Sequence, residues 1–311
     1  MTASSSRRRR RITDRLVFDV ASSLTDRDRH ILRLLRWHRV LTTSQIHVMF
    51  FSDLNTAQHR MTRLHQLRLV ERFRPLRAGR EVEYHYVLDV LGAYVVAAMA
   101  NQDPDREVKM RWRTDWALSI ATSQRLAHTV GANELFVHLV AAARTNSDAE
   151  LSTWWGERYC KDRLGEVVRP DGLGVWREGD ATVAFCLEYD RGSEQLSRLE
   201  KKAGDYARLE AAWGVALWLL VVVPGPRREV GARSALSGQG LAVATTTEPL
   251  AVRPTDAIWA PLGADGTRVR LAELASWPRP VESTARLARA ARYLDDDNHH
   301  RRPADDEGLA S

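Results

Sequence analysis

Lysine is scarce in this chain. Of 46 basic side chains only four are lysines, Lys109, Lys161, Lys201 and Lys202, and the rest are arginines. Such a bias fits a GC-rich coding sequence and makes each remaining lysine worth attention. Cysteine is scarcer still: Cys160 and Cys186 stand alone, which makes neither a zinc site nor a disulfide framework. The ten histidines are scattered without ligand spacing. No apolar stretch approaches the roughly 20 residues that a membrane-spanning helix needs. The longest, Val215 to Val223, has the length of a buried strand. The beginning of the sequence is rich in Ser and Arg but has no apolar signal region, which argues against secretion. The expectation is a cytoplasmic protein with no membrane segment.

What is present is apolar material for real cores, 44% of 311 residues, a length that suggests two domains. Residues 24–88 carry the clearest pattern. Leu24-Thr25-Asp26-Arg27-Asp28 opens a helix, with Thr25 or Asp26 as its cap and Ile31, Leu32, Leu34 and Leu35 as its apolar side. Thr42-Thr43-Ser44-Gln45-Ile46 starts a second, short helix. After Ser52-Asp53, Leu54, Ala57, Met61, Leu64 and Leu67 form one apolar stripe on a third. Its opposite face shows Asn55, Thr56, Gln58, His59, Thr62, Arg63 and Gln66, side chains of the kind that read base edges or hold phosphates. Leu69–Arg74, the turn Arg77-Ala78-Gly79-Arg80 and Glu83–Leu88 then read as a β-hairpin wing.

A winged helix-turn-helix on double-stranded DNA is the reading these elements suggest. Asn55, Gln58, His59, Thr62 and Arg63 are expected to face the major groove, with Arg77 and Arg80 at the wing. A small packed domain or a protein-docking module would share the same pattern. Charge favours DNA: the first hundred residues hold 18 Arg, no Lys and 9 acidic residues, a balance of +9, while the remainder carries −3. Arg7 to Arg11 add a basic run suited to phosphates or a minor groove, or to a solubilising tail.

The expected organisation is a basic disordered arm (1–22), the winged helix-turn-helix with a trailing apolar helix that packs back or dimerises (23–100), a linker and helix (101–124), an α/β domain (125–279) and a charged, disordered tail (280–311). Within the α/β domain, a helix with Leu126, Val130, Asn133, Val137 and Val140 down one face, thickened by Leu135, Phe136 and Leu139, leads into strands at 151–155, 166–169 and 183–187. A helix over 193–213 and a strand over 215–223 follow, and the apolar runs 241–244 and 257–260 extend the sheet. This helix, strand, strand, strand, helix, strand order is the core order of restriction-endonuclease-like, or PD-(D/E)xK, nucleases. The expected fold class is two-domain, α+β and α/β: a winged helix-turn-helix followed by a domain that resembles the restriction endonucleases.

Pro170-Asp171 and Glu188-Tyr189-Asp190 close two of the expected strands. Adjacent strands bring Asp171 and Glu188 to one edge, where two carboxylates plus a backbone carbonyl suit Mg²⁺. In nucleases of this type a lysine lies two residues beyond the acid, and here that position is Asp190. A helical projection of 193–213 offers a substitute: Lys202 lies at the margin of the face built by Leu196, Leu199, Ala203, Tyr206 and Trp213, with Gln195 in its column and Lys201 toward solvent. Glu134 is a further candidate carboxylate. The candidate catalytic set is Asp171, Glu188, Asp190 and Lys202, with Asp171 and Glu188 as metal ligands. The alternatives are two turns, with Asp190 or Ser193 capping the helix, or a nuclease fold kept for binding alone.

With these residues in place, the chain resembles the replication-relaxation family of plasmid and mobile-element proteins from Gram-positive bacteria, over roughly residues 24–275. The motifs are Leu24-Thr25-x-Arg27-Asp28, Thr42-Thr43-x-Gln45-Ile46, His128 and Asn133, Arg169-Pro170-Asp171-Gly172, Glu188-Tyr189-Asp190-Arg191-Gly192, Lys202 and Tyr206. The resemblance implies a role in replication and relaxation of plasmid DNA. Two readings stay open. One is a DNA-binding protein with a Mg²⁺-dependent endonuclease or nickase site, working with replication or mobilisation proteins. The other is a non-catalytic transcriptional or copy-number regulator whose second domain forms a homodimer or binds a partner.

Overall fold

Side chains that close exposed backbone N–H groups set the helix starts in the first part of the chain. The computed structural model describes residues 12–75, 82–100, 116–164, 167–193 and 195–298. Thr13 Oγ1 accepts from the Leu16 amide at 3.3 Å and starts α1 (Asp14–Ser22). Thr25 and Asp28 cap each other's amides at the head of α2 (Asp26–His38). Thr42 and Gln45 repeat that reciprocal arrangement for α3 (Thr43–Phe50). Asp53 accepts from the Thr56 amide at 2.8 Å and starts α4 (Leu54–Gln66). The strands β1 (Leu41–Thr42), β2 (Val70–Phe73) and β3 (His85–Leu88) form an antiparallel sheet in the order β1-β3-β2.

Contacts divide the chain into two compact units, Met1–Val130 and Gly131–Ser311. In the first, Ile31, Leu32 and Leu35 of α2, Ile46 and Met49 of α3, and Ala57, Met61 and Leu64 of α4 are buried together. Leu54, expected in that stripe, is 43% exposed. Asp28, fully buried, joins α2 to α4 through both nitrogens of the Arg60 fork, Nε at 2.7 Å from Oδ1 and Nη2 on Oδ2. Burial works to raise the Asp28 carboxyl. Bonds from Arg60 and Thr25 outweigh it and hold the group below its ordinary value. The trailing helix α5 (Val90–Met99) packs back on α1 and α2. Gly92 permits this: a Cβ there would lie 2.0 Å from the Leu69 carbonyl oxygen. α6 (Trp116–Ala121) places Ile120 beside Val40 and Val87. Residues 14–22, expected within a disordered arm, are helical. Arg7–Arg11, Arg77 and Arg80 lie outside the described residues.

α7 (Leu126–Thr145) runs across the boundary into the second unit. There a six-stranded sheet runs in the order β4 (Ala149–Gly156), β5 (Gly172–Glu178), β6 (Ala181–Tyr189), β7 (Leu217–Val223), β8 (Val243–Thr247), β9 (Ala260–Pro261). β4-β5-β6 are antiparallel, β6-β7-β8 are parallel, and β9 returns antiparallel. α8 (Glu157–Leu164) follows β4, while α9 (Leu196–Trp213) and α10 (Pro226–Leu236) make the two crossovers. Alternation sorts the side chains. Val183, Phe185 and Leu187 of β6 and Leu220 and Val222 of β7 pack on Ala132, Leu135, Phe136 and Leu139 of α7. Cys186 of β6 and Leu219, Val221 and Val223 of β7 pack on Leu199, Ala203, Tyr206 and Leu209 of α9. In α7, Leu135, Phe136 and Leu139, expected beside the column, face the sheet, whereas Val130 and Val140 of the column are only half-buried.

Several boundaries differ from expectation. No strand covers 167–169, and Glu166 lies outside the described residues. The strand begins instead at Gly172, where glycine makes room for an aromatic ring: a Cβ on Gly172 would lie 2.6 Å from Phe136, and one on Gly174 2.5 Å from Phe185. Residues 281–298, expected in a disordered tail, form α11 (Val281–Asn298). It is tied down at Glu210 of α9, 1% exposed, which accepts from Arg279 at 2.6 Å, Ser283 at 2.9 Å and Arg286 at 2.9 Å.

Candidate functional site

Two places gather candidate side chains, one in each unit. In the first, burying Ala57, Met61 and Leu64 turns the other side of α4 outward. Asn55, Thr56, Gln58, His59, Arg63 and Gln66 are exposed, and Thr62 is half-buried. Thr62 Oγ1 accepts from Arg72 of β2 at 3.4 Å. The Arg60 fork on Asp28 faces the opposite way and fixes the helix to α2.

In the second unit the antiparallel pairing of β5 and β6 matches Gly172 with Leu187. One step further, the same register sets Asp171 opposite Glu188. Hydrogen bonds hold that step: Asp171 N donates to Leu187 O at 2.9 Å, and Tyr189 N donates to Asp171 Oδ2 at 2.9 Å. Asp171 therefore meets Glu188 because it precedes its strand, where the sequence pattern had put it at a strand's end. Glu188 alternates with Leu187 and points to the α9 side, where it is buried. Lys202 Nζ donates to Glu188 Oε2 at 2.7 Å, and Tyr206 Oη, one turn later, donates to Oε1. Burial pushes the Glu188 carboxyl up to about 7, and the charge of Asp171 pushes the same way against Lys202 and Tyr206. Burial and Glu188 likewise hold the Tyr206 phenol well above its usual range, so it keeps its proton and donates.

The other candidates sit elsewhere. Asp190 Oδ2 is paired with Arg228 Nε of α10 at 2.6 Å, and Oδ1 accepts from the Gly192 amide at 2.7 Å. Neither Asp190 nor Ser193 caps α9. The cap position is Gln195, exposed and making no side-chain capping bond. Glu134 is bonded to His138 at 3.1 Å on α7, which packs on the other face of the sheet from Glu188. There burial, then Glu248 and Glu134, push the Tyr189 phenol up. Burial, then Asp171 and Glu157, push the Cys160 thiol up to about 12. The sequence had placed Tyr206 on the helix's packing face without its bond to Glu188, and Arg228 carried no signal at all.

Among the described residues, no group of three or more His, Cys, Asp or Glu side chains is set to hold a metal ion. The donors near Glu188 are two carboxylates, whose charges already oppose each other. That set fits Mg²⁺, which keeps several waters and takes one or two carboxylates, and does not fit Zn²⁺. No helix among the described residues is long and apolar enough to cross a membrane.

A search of curated proteins gives no match. Among solved structures, the restriction endonuclease FokI bound to DNA overlaps 75% of this chain and 45% of its own, at 13% identity and a TM-score of 0.27. That overlap is too loose to speak for fold or chemistry. The replication-relaxation family model matches residues 32–216, which run from α2 through the β5–β6 pair, Lys202 and Tyr206. The chain belongs to the replication-relaxation family.

Proposed function

We propose that this protein binds double-stranded DNA of a plasmid or other mobile element and acts in its replication or relaxation. The observation that carries this reading is α4, whose inner side is buried while Asn55, Gln58, His59 and Arg63 face outward. In this reading the first unit is a winged helix-turn-helix. Its α4 lies in the major groove and reads base edges with those side chains and Thr62, while Arg77 and Arg80 serve the wing. The second unit is a restriction-endonuclease-like domain that nicks the bound DNA. Asp171 and Glu188 would hold Mg²⁺, which would supply charge neutralisation at the phosphate and activation of water. Lys202 stabilises the negative charge that develops as the phosphodiester breaks. Asp190 contributes by fixing the turn after β6 through Arg228.

One observation favours a second reading, a non-catalytic regulator. Both oxygens of Glu188 already accept bonds, from Lys202 and Tyr206, so the cluster is also a self-contained structural pair. The test is supercoiled plasmid carrying the native origin region, incubated with Mg²⁺, Mn²⁺ or EDTA. Metal-dependent nicking, lost in Asp171→Asn, is the expected result. Salt-sensitive binding without nicking selects the regulator. Absence of salt-sensitive binding overturns both.

A further inference from the structure

A site built on carboxylates repels phosphate, so a DNA strand can approach Asp171 and Glu188 only where positive charge surrounds them. Three neighbouring strand ends in the second unit carry it. Arg169, two residues before Asp171 and ahead of β5, is exposed. Arg191, three residues after Glu188 in the turn that leaves β6, is exposed. Arg227, in the first turn of α10 just after β7, is exposed as well.

Bonds between the segments hold these ends at one edge of the sheet. The parallel register sets Tyr189 opposite Val222, and Asp190 N donates to Val222 O at 2.8 Å. Arg228 Nε donates to Asp190 Oδ2 at 2.6 Å, and a Cβ on Gly192 would lie 3.3 Å from the Pro224 ring. Neighbouring strands lie about 4.8 Å apart, so the ends of β5, β6 and β7 span about 10 Å. One strand of a duplex carries a phosphate every ~3.4 Å of its axis, so that span matches about three phosphates. The charge agrees. Segments 169–171, 188–192 and 224–228 hold four arginines against three carboxylates, and Lys202 adds a fifth cation. Ion pairs match Asp190 with Arg228 and Glu188 with Lys202. Glu248, after β8, is engaged by Tyr189 Oη. This edge is therefore positive, although the chain beyond residue 100 carries −3.

We propose that Arg169, Arg191 and Arg227 form a binding surface for DNA backbone phosphates that holds one strand across the Asp171–Glu188 pair. This rests on the reading that the second unit acts on bound DNA. Guanidinium donors suit phosphate oxygens and read no base, so the surface contributes affinity without regard to sequence.

The test uses the full chain. Binding to a linear duplex of origin DNA is measured over a series of salt concentrations, and nicking of supercoiled origin plasmid is followed in Mg²⁺. In the Arg169→Gln/Arg191→Gln/Arg227→Gln variant the log–log salt slope is expected to fall by about 3, since each phosphate contact accounts for about 0.9. Nicking at subsaturating protein should fall with it. If the triple variant does not fold, Arg227→Gln alone, at an exposed position, should lower the slope by about 1. An unchanged slope overturns the surface, and nicking by the parent then stands without it. A lowered slope in a protein whose parent does not nick upholds the surface and sinks the nicking reading. A parent with no salt-dependent binding overturns both.

Discussion

The two units treat a buried carboxylate in opposite ways. In the first, Asp28 is fully answered by Arg60 and Thr25, and its charged form is favoured. In the second, Glu188 has Lys202 and Tyr206, yet burial and Asp171 still push it up to about 7. A buried acid that is fully compensated is a fastener. One left short of positive charge is a place where a cation gains most. The same contrast holds at the surface: the first unit turns its candidate contacts outward on α4, and the second keeps Asp171 half-buried and Glu188 buried where β5 and β6 meet.

The largest expected effect that can break this comparison is on pH dependence. Burial holds His38 in the first unit down to about 3, against 6.5 for an ordinary histidine. The unfolded chain therefore takes up that proton first. The stability His38 contributes is full above 6.5 and is lost as pH falls toward 3, at up to about 1.4 kcal/mol per pH unit. Glu188 runs the other way. Raised from 4.5 to about 7, its contribution is full below 4.5 and is lost as pH rises through 7. Hydrogen exchange of the metal-free protein should show α2 amides gaining protection with rising pH and α9 amides losing it. The same trend in both units sinks the contrast.

Next in size is Arg60→Ala. It strands Asp28, which is fully buried, and should cost the first unit about 3 kcal/mol, read from chemical denaturation. A cost below about 1 kcal/mol would place Asp28 among ordinary surface acids. Smallest is Thr42→Ala, which removes one half of the α3 capping box and should cost about 1 kcal/mol, seen as faster exchange of the first α3 amides.

The legible parts of the sequence were those governed by near neighbours. Thr25 with Asp28 and Thr42 with Gln45 announce α2 and α3 within four residues, and the projection of α9 singles out Lys202 over Lys201. What depends on distant partners was hidden. Gly172 reads as a turn residue, although the space left by its missing side chain is filled by Phe136. Pro224-Gly225-Pro226 reads as the stop of a strand, while Pro226 also opens α10. α11 is polar in sequence because guanidiniums on Glu210 help to hold it. Asp190 looks like a catalytic group from its place two residues after Glu188, and only Arg228, 38 residues on, shows where it points.

The tie between Glu210 and Arg279 also bears on how the chain is made. Glu210 leaves the ribosome 69 residues ahead of Arg279 and farther still ahead of Arg286. Until those guanidiniums emerge, the nascent α9 carries an anion at a position destined for the interior, and closing the core over it is costly. Glu210→Gln, which removes that charge, should lower the cost of burying α9 before α11 is made.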